Sequence, residues 1–153
     1  MNDLKNSLLA GVEAAKNAAV NKNEIKEVIN SIDDLLKEIY GGKVGFGIFN
    51  FTLPKKKDNG SNPFSGVLNF NILNTSFESY EGLGIANSKG GKAVPVAKFS
   101  LAEEGYPCKI NYDNNDVYCY TKEELISELS SLLKHVRTGK AILDITNEIE
   151  GDN

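Results

Sequence analysis

Cys108, Cys119 and His135 are the side chains best suited to bond-making in this chain. A thiolate can attack a carbon, bind a soft metal or join a disulfide, and an imidazole can serve as base or ligand. A metal site needs more donors, and two Cys with one His lack the spacing of any zinc module. A Cys nucleophile would need a base, which only His135 could supply, since the chain has 1 His. Both cysteines lie in PCKINYDNNDVYCYT, residues 107–121, which reads as a β-hairpin. With its turn at Asn114-Asn115, Ile110 pairs with Cys119, and both thiols join Ile110, Tyr112 and Val117 on one apolar face. They are then diagonal neighbours about 7–8 Å apart, too far for an unstrained disulfide. A register slip of two would set them directly opposite. The expectation is two buried structural thiols, with no catalytic residue, no cofactor and no metal.

Two glycine-rich stretches fail as nucleotide loops. In GLGIANSKGGKA, residues 82–93, Gly91-Lys92 is followed by Ala93, and Ala86 stands where the first P-loop glycine belongs. Gly45-Phe46-Gly47 lacks the third glycine of a dinucleotide fingerprint, because that position is Asn50.

Charge offers two candidate contact surfaces instead. Lys55, Lys56 and Lys57 form one compact basic feature, which Lys89 and Lys92 extend if their loops lie side by side. With Phe64 nearby, these lysines could hold nucleic-acid phosphates or an acidic protein. Asp33, Asp34 and Glu38 on one helix, and Glu123, Glu124 and Glu128 on another, could present carboxylates to a protein partner. Solvated loops and helix faces are the ordinary explanation of both. Net charge is −4, and Arg137 is the single Arg among 17 basic residues, which argues against base-edge readout of duplex DNA.

These residues need elements to hold them. The length of 153 residues suits one domain, 41% apolar content suits a packed core, and two cysteines are too few for a disulfide scaffold. No apolar run approaches a membrane span, and the Met1-Asn2-Asp3 start lacks a signal peptide's cationic region. A cytoplasmic protein with no membrane contact is expected.

Residues 1–42 read as a helical hairpin. Leu8, Val12, Ala15 and Ala19 form one stripe; Ile25, Ile29, Ile32, Leu36 and Ile39 form another, with Asn23 as the second helix's cap. Both stripes are expected to pack on the chain's own sheet. The competing reading pairs the first with a partner or a second copy, giving a homodimer through the N-terminal helices, because Ala14, Ala15, Ala18 and Ala19 allow close approach.

Residues 43–120 change to a period of two and read as a mainly antiparallel sheet of four or five strands, with long loops at 54–66 and 75–92. Strands are expected at 43–53, 67–74 and 93–101, the first two paired, with Pro95 marking an edge. Gly45 and Gly47 share a face with Phe49, a pattern that marks close approach of another backbone or a ring. Residues 121–149 read as a C-terminal helical segment, opened by the capping box Thr121-Lys122-Glu123-Glu124 and interrupted at Thr138-Gly139. Its apolar stripe is Leu125, Ile126, Leu129, Leu132, Leu133 and Val136, and helix is favoured over strand for 140–149.

The fold expected is α+β in a single domain. With no catalytic constellation, the function expected is a non-enzymatic protein-binding module of inhibitor, immunity or accessory type. Nucleic-acid binding through the lysine loops is the alternative.

Overall fold

The structure, a computed structural model, describes residues 1–54 and 77–151. It is an α+β fold of one N-terminal helix, a five-stranded antiparallel sheet and two C-terminal helices.

Helix α1 runs unbroken over Asn2–Ile39, so the expected helical hairpin is one 38-residue rod. Val20-Asn21-Lys22-Asn23 contains no glycine or proline to stop it, and an interior Asn costs a helix only a few tenths of a kcal/mol, about 0.6 at most. Neither asparagine caps anything. Asn23 donates to Glu27 at 3.3 Å, one turn on, and Asn21 donates to the Glu104 carbonyl at 3.1 Å. The helix ends as its sequence suggests, at Gly41 (φ 64°) and Gly42 (φ 79°), where the Gly42 amide closes on the Lys37 carbonyl at 2.7 Å.

The strands β1 (Val44–Pro54), β2 (Phe77–Asn87), β3 (Ala93–Ala102), β4 (Gly105–Tyr112) and β5 (Asn115–Cys119) form a meander in chain order. β1 pairs with β2 along its whole length, from Val44 opposite Asn87 to Pro54 opposite Phe77. The expected partner strand at 67–74 lies outside the described residues. The stretch 75–92, expected to be irregular with room for a short strand at 81–85, supplies the 11-residue β2. Its glycines hid it. Gly82 and Gly84 lower strand propensity, yet a Cβ on Gly82 would stand 2.7 Å from the Ala97 carbonyl oxygen, and one on Gly84 2.8 Å from the Phe51 ring.

Pro95 sits in a central strand, not at an edge. Leu83 pairs with Ala97 and Gly84 with Pro95, which leaves Val96 as the extra residue of a bulge. A bulge is one of the few places where a strand interior accepts a residue with no N–H.

One face of the sheet carries the core. Val44, Phe46, Leu83, Ile85, Phe99 and Ile110 meet Ile25, Ile29 and Leu36 of α1. Helices α2 (Lys122–Lys134) and α3 (Val136–Gly151) complete the layer with Leu125, Leu129, Leu132, Ala141 and Ile145. The capping box holds: the Glu124 amide donates to Thr121 Oγ1 at 3.1 Å, and the Glu124 carboxylate accepts the Tyr120 amide at 2.6 Å.

The break between α2 and α3 falls at His135, earlier than Thr138-Gly139. His135 is extended (φ −68°, ψ 143°), and Thr138 lies inside α3. Thr138 is fully buried, and its hydroxyl donates at 2.7 Å to the Leu132 carbonyl, which also accepts the His135 amide at 3.1 Å at the end of α2. The redirection turns Val136 outward at 78% exposure, and Ile126 is exposed too, so both leave the expected apolar stripe. Residues 140–149 are helical, as favoured.

Candidate binding surfaces

The hairpin β4–β5 turns at Asp113 (φ 54°) and Asn114 (φ 60°), one residue earlier than expected. Two residues with positive φ make the primed turn that suits paired strands. The earlier turn shifts the register, so Cys108 stands directly opposite Cys119. Both thiols are free and fully buried in the core. Burial pushes the Cys108 thiol above its ordinary value, and burial followed by the neighbouring Cys108 pushes Cys119 up to about 12. Thiols held this far from ionisation are not poised nucleophiles.

His135 cannot act as their base. Its Nε2 lies 2.6 Å from Asp113 Oδ2, while Nδ1 accepts the Arg137 amide at 3.1 Å. That pattern places the proton on Nε2 and engages both ring nitrogens. Asp113 lies five residues along the strand from Cys108, about 17 Å away. Arg137 completes the cluster at 3.3 Å from Asp113 Oδ1, and the Tyr112 ring meets the imidazole edge-on at 5.7 Å. The cluster fastens the hairpin tip to the α2–α3 junction. Among the described residues, no three His, Cys, Asp or Glu side chains are grouped to hold a metal ion.

The charged candidates fare unevenly. Lys55, Lys56, Lys57 and Phe64 lie outside the described residues. Lys89 and Lys92 are exposed in the turn after β2, whereas Pro54 and Phe77, to which residues 55–76 attach, lie at the other end of that strand. Of the acidic residues, three are structural. Asp33 accepts the Phe46 amide at 2.8 Å, Glu124 serves the capping box, and Glu128 accepts the Tyr112 hydroxyl at 2.7 Å. Burial and then Glu128 raise the Tyr112 phenol to about 12, and burial and Glu24 raise Tyr106. Asp34, Glu38 and Glu123 are exposed. The two acidic groups do not converge: Asp33 meets β1 and Glu128 meets β4, on opposite flanks of the sheet.

Two surfaces emerge that charge counting missed. The first is the front of α1. Every residue from Met1 to Asn17 is exposed, including Leu4, Leu8 (73%), Leu9 and Val12. The first stripe, expected on the sheet, therefore packs on nothing described. An unbroken helix has no turn with which to fold it back, and α1 meets the β3–β4 connection at Asn21, beyond that stretch.

The second is the sheet face opposite the core. Phe49, Phe51 and Tyr80 cluster there, with centroids 6.1 Å apart for the first pair and 5.7 Å for the second. The side-chain-free floor of Gly82 and Gly84 receives the Phe51 ring, and a Cβ on Gly47 would stand 3.4 Å from Phe49 Cζ, in line with the expected approach of a ring to these glycines. The Lys98 ammonium sits 5.4 Å from the Tyr80 centroid. Strand pairing then sets Ser100 beside Lys109, and Lys109 beside Tyr118, across β3, β4 and β5. Two shallow cavities of about 430 and 440 Å³ adjoin this ground, both lined by Tyr80, Lys98 and Asn111.

No protein-family model, curated protein or solved structure matches this chain. Among the described residues, no helix is long and apolar enough to cross a membrane.

Proposed function

We propose that the chain is a non-enzymatic protein-binding module whose docking element is the overhanging front of α1. One observation carries this reading: Leu4, Leu8, Leu9 and Val12 stand exposed on a helix that has left the body of the fold. Most helical stability in proteins comes from packing an apolar face, and large contiguous apolar exposure marks interaction surfaces. The occupant is a helix of a protein partner. Gly11, Ala14, Ala15, Ala18 and Ala19 beside the larger side chains leave a strip low enough for a second helix to approach within the usual 8–10 Å spacing or closer. Such a module acts by occupying a surface, as an inhibitor or immunity-type protein does. The thiols held protonated and the fully engaged His135 support the absence of catalysis.

The test uses the whole chain as bait, beside Leu8→Asp/Val12→Asp. Neither residue is buried, so the variant keeps its fold. The reading requires a helical protein bound in fixed stoichiometry by the wild type and lost by the variant. Equal capture by both would refute it. A wild type that self-associates, with the variant monomeric in sedimentation, would reassign the occupant to a second copy.

A further inference from the structure

We propose that the sheet face left open by the described residues binds single-stranded nucleic acid, stacking bases on Phe49, Phe51 and Tyr80 and holding phosphates with Lys98 and Lys109. This site is independent of the α1 overhang and of the lysine loops.

The face is built for exposed rings. A side chain at Gly84 would collide with the Phe51 ring, and one at Gly82 would crowd it while colliding with the Ala97 carbonyl, so the glycines keep that ring seated on β2. Phe49, Phe51 and Tyr80 all remain half-buried, with ring surface in contact with solvent. Rings seated on a sheet are the platform on which unpaired bases stack, and stacking tolerates any base.

Charge complementarity names the occupant. Lys98 pairs across the strands with Asn111, and Ser100 with Lys109, which makes the two lysines diagonal neighbours about 7–8 Å apart. They lie on the two central strands of that half of the sheet, between the rings of β1 and β2 and Tyr118 on β5. A protein-docking face has the reverse plan, with an apolar centre and charge at the rim. Lysine at the centre suits backbone contact rather than base-edge reading, and Arg137, which lines one of the cavities, is paired with Asp113. Two acids share a cavity with both lysines: Glu81, and Asp116, which accepts the Asn111 amide at 2.5 Å. Asp33, Asp34, Glu38, Glu123, Glu124 and Glu128 belong to helices on the other face.

From β1 to β5 the face spans about 19 Å, enough for a few nucleotides lying across the strands. The two cavities that share Tyr80, Lys98 and Asn111 lie along that path and give a base room beside the Tyr80 ring.

The test is fluorescence anisotropy of the full chain with short fluorescein-labelled oligothymidylate and oligouridylate, over a range of salt. Both single strands should bind at low salt, and unlabelled duplex should compete poorly. Lys98→Ala/Lys109→Ala, in a pair of surface side chains, should lower the slope of log affinity against log salt by about 1.4. Tyr80→Ala should weaken binding by about fivefold or more. Leu8→Asp/Val12→Asp should bind the oligonucleotides as the wild type does, which separates this site from the helix reading. A wild type that ignores both oligonucleotides at low salt would overturn the proposal. So would a lysine variant with unchanged affinity and slope, since the phosphates would then be held elsewhere.

Discussion

Asp33 reaches from α1 to the edge of the sheet, where its Oδ1 accepts the Phe46 amide at 2.8 Å. Its Oδ2 holds the Lys37 ammonium at 2.7 Å, and that hydrogen bond raises the Lys37 pKa. Among the described strands β1 is the edge, and the outward Phe46 amide pairs with Asp33 in place of a strand. Asp33→Ala should lower unfolding stability by about 1–2 kcal/mol, the cost of leaving a half-buried amide without its charged acceptor. Asp33→Asn should cost less, because its carbonyl can still accept. Urea titrations of the three proteins would show this order; equal midpoints would mean that water replaces the carboxylate at no cost.

Gly82→Ala and Gly84→Ala separate backbone from side-chain obstruction. A Cβ at residue 82 meets the Ala97 carbonyl oxygen at 2.7 Å, which no rotamer can relieve. At residue 84 the closest atom is Phe51 Cζ at 2.8 Å, the far end of a ring that can swing outward. Gly82→Ala should cost about 3 kcal/mol and Gly84→Ala about 1 kcal/mol. Thermal melts that reverse this order would contradict the close packing of β2 on β3.

Thr138→Val keeps shape and removes a donor. The fully buried hydroxyl serves the Leu132 carbonyl at 2.7 Å. Its loss removes one of two donors to that carbonyl, which keeps the His135 amide at 3.1 Å, so stability should fall by about 0.5–1.5 kcal/mol. Thr138→Ser should recover most of that loss in the same assay.

Stability should be flat through neutral pH and fall in alkali. Cys119 rises from 9.0 to about 12 on folding, and Tyr112 from 10.0 to about 12. Below pH 9 both states hold these protons. Above it the unfolded chain releases them first, so it binds fewer protons than the native state and stability declines as pH rises. Cys108→Ala/Cys119→Ala should delay the onset until the tyrosines begin to titrate near pH 10. Chemical denaturation at several pH values from 7 to 11 would reveal the shift, and superimposable profiles would argue that the thiols reach solvent in the native state.

The class of the fold could be read from periodicity, because burial of one face imposes it. Ile25, Ile29, Ile32 and Leu36 match the core side of α1, and Thr121 with Glu124 marks the start of α2. What could not be read was set by contacts between distant residues. Nothing local in Val20–Asn23 tells a helix to continue rather than turn. The glycines of β2 look like loop residues until the Phe51 ring and the Ala97 carbonyl occupy their space. The cysteine register hung on whether Asp113-Asn114 or Asn114-Asn115 takes positive φ, a choice between near-equal turns that the Asp113–His135 contact favours in the folded chain. The ring cluster was half visible, since Gly47 and Phe49 lie on one strand, but Tyr80 and Lys98 join it only through pairing.

The meander has a kinetic consequence. Each strand pairs with its neighbour in sequence, so β3, β4 and β5 can assemble through short loop closures. Helix α1 joins them across far longer spans, and its bond from Glu24 to the Tyr106 hydroxyl closes 82 residues. The sheet should therefore nucleate folding and α1 should dock after the barrier. Truncating Ile29 would then accelerate unfolding and leave the refolding rate nearly unchanged, whereas truncating Ile110 would slow refolding.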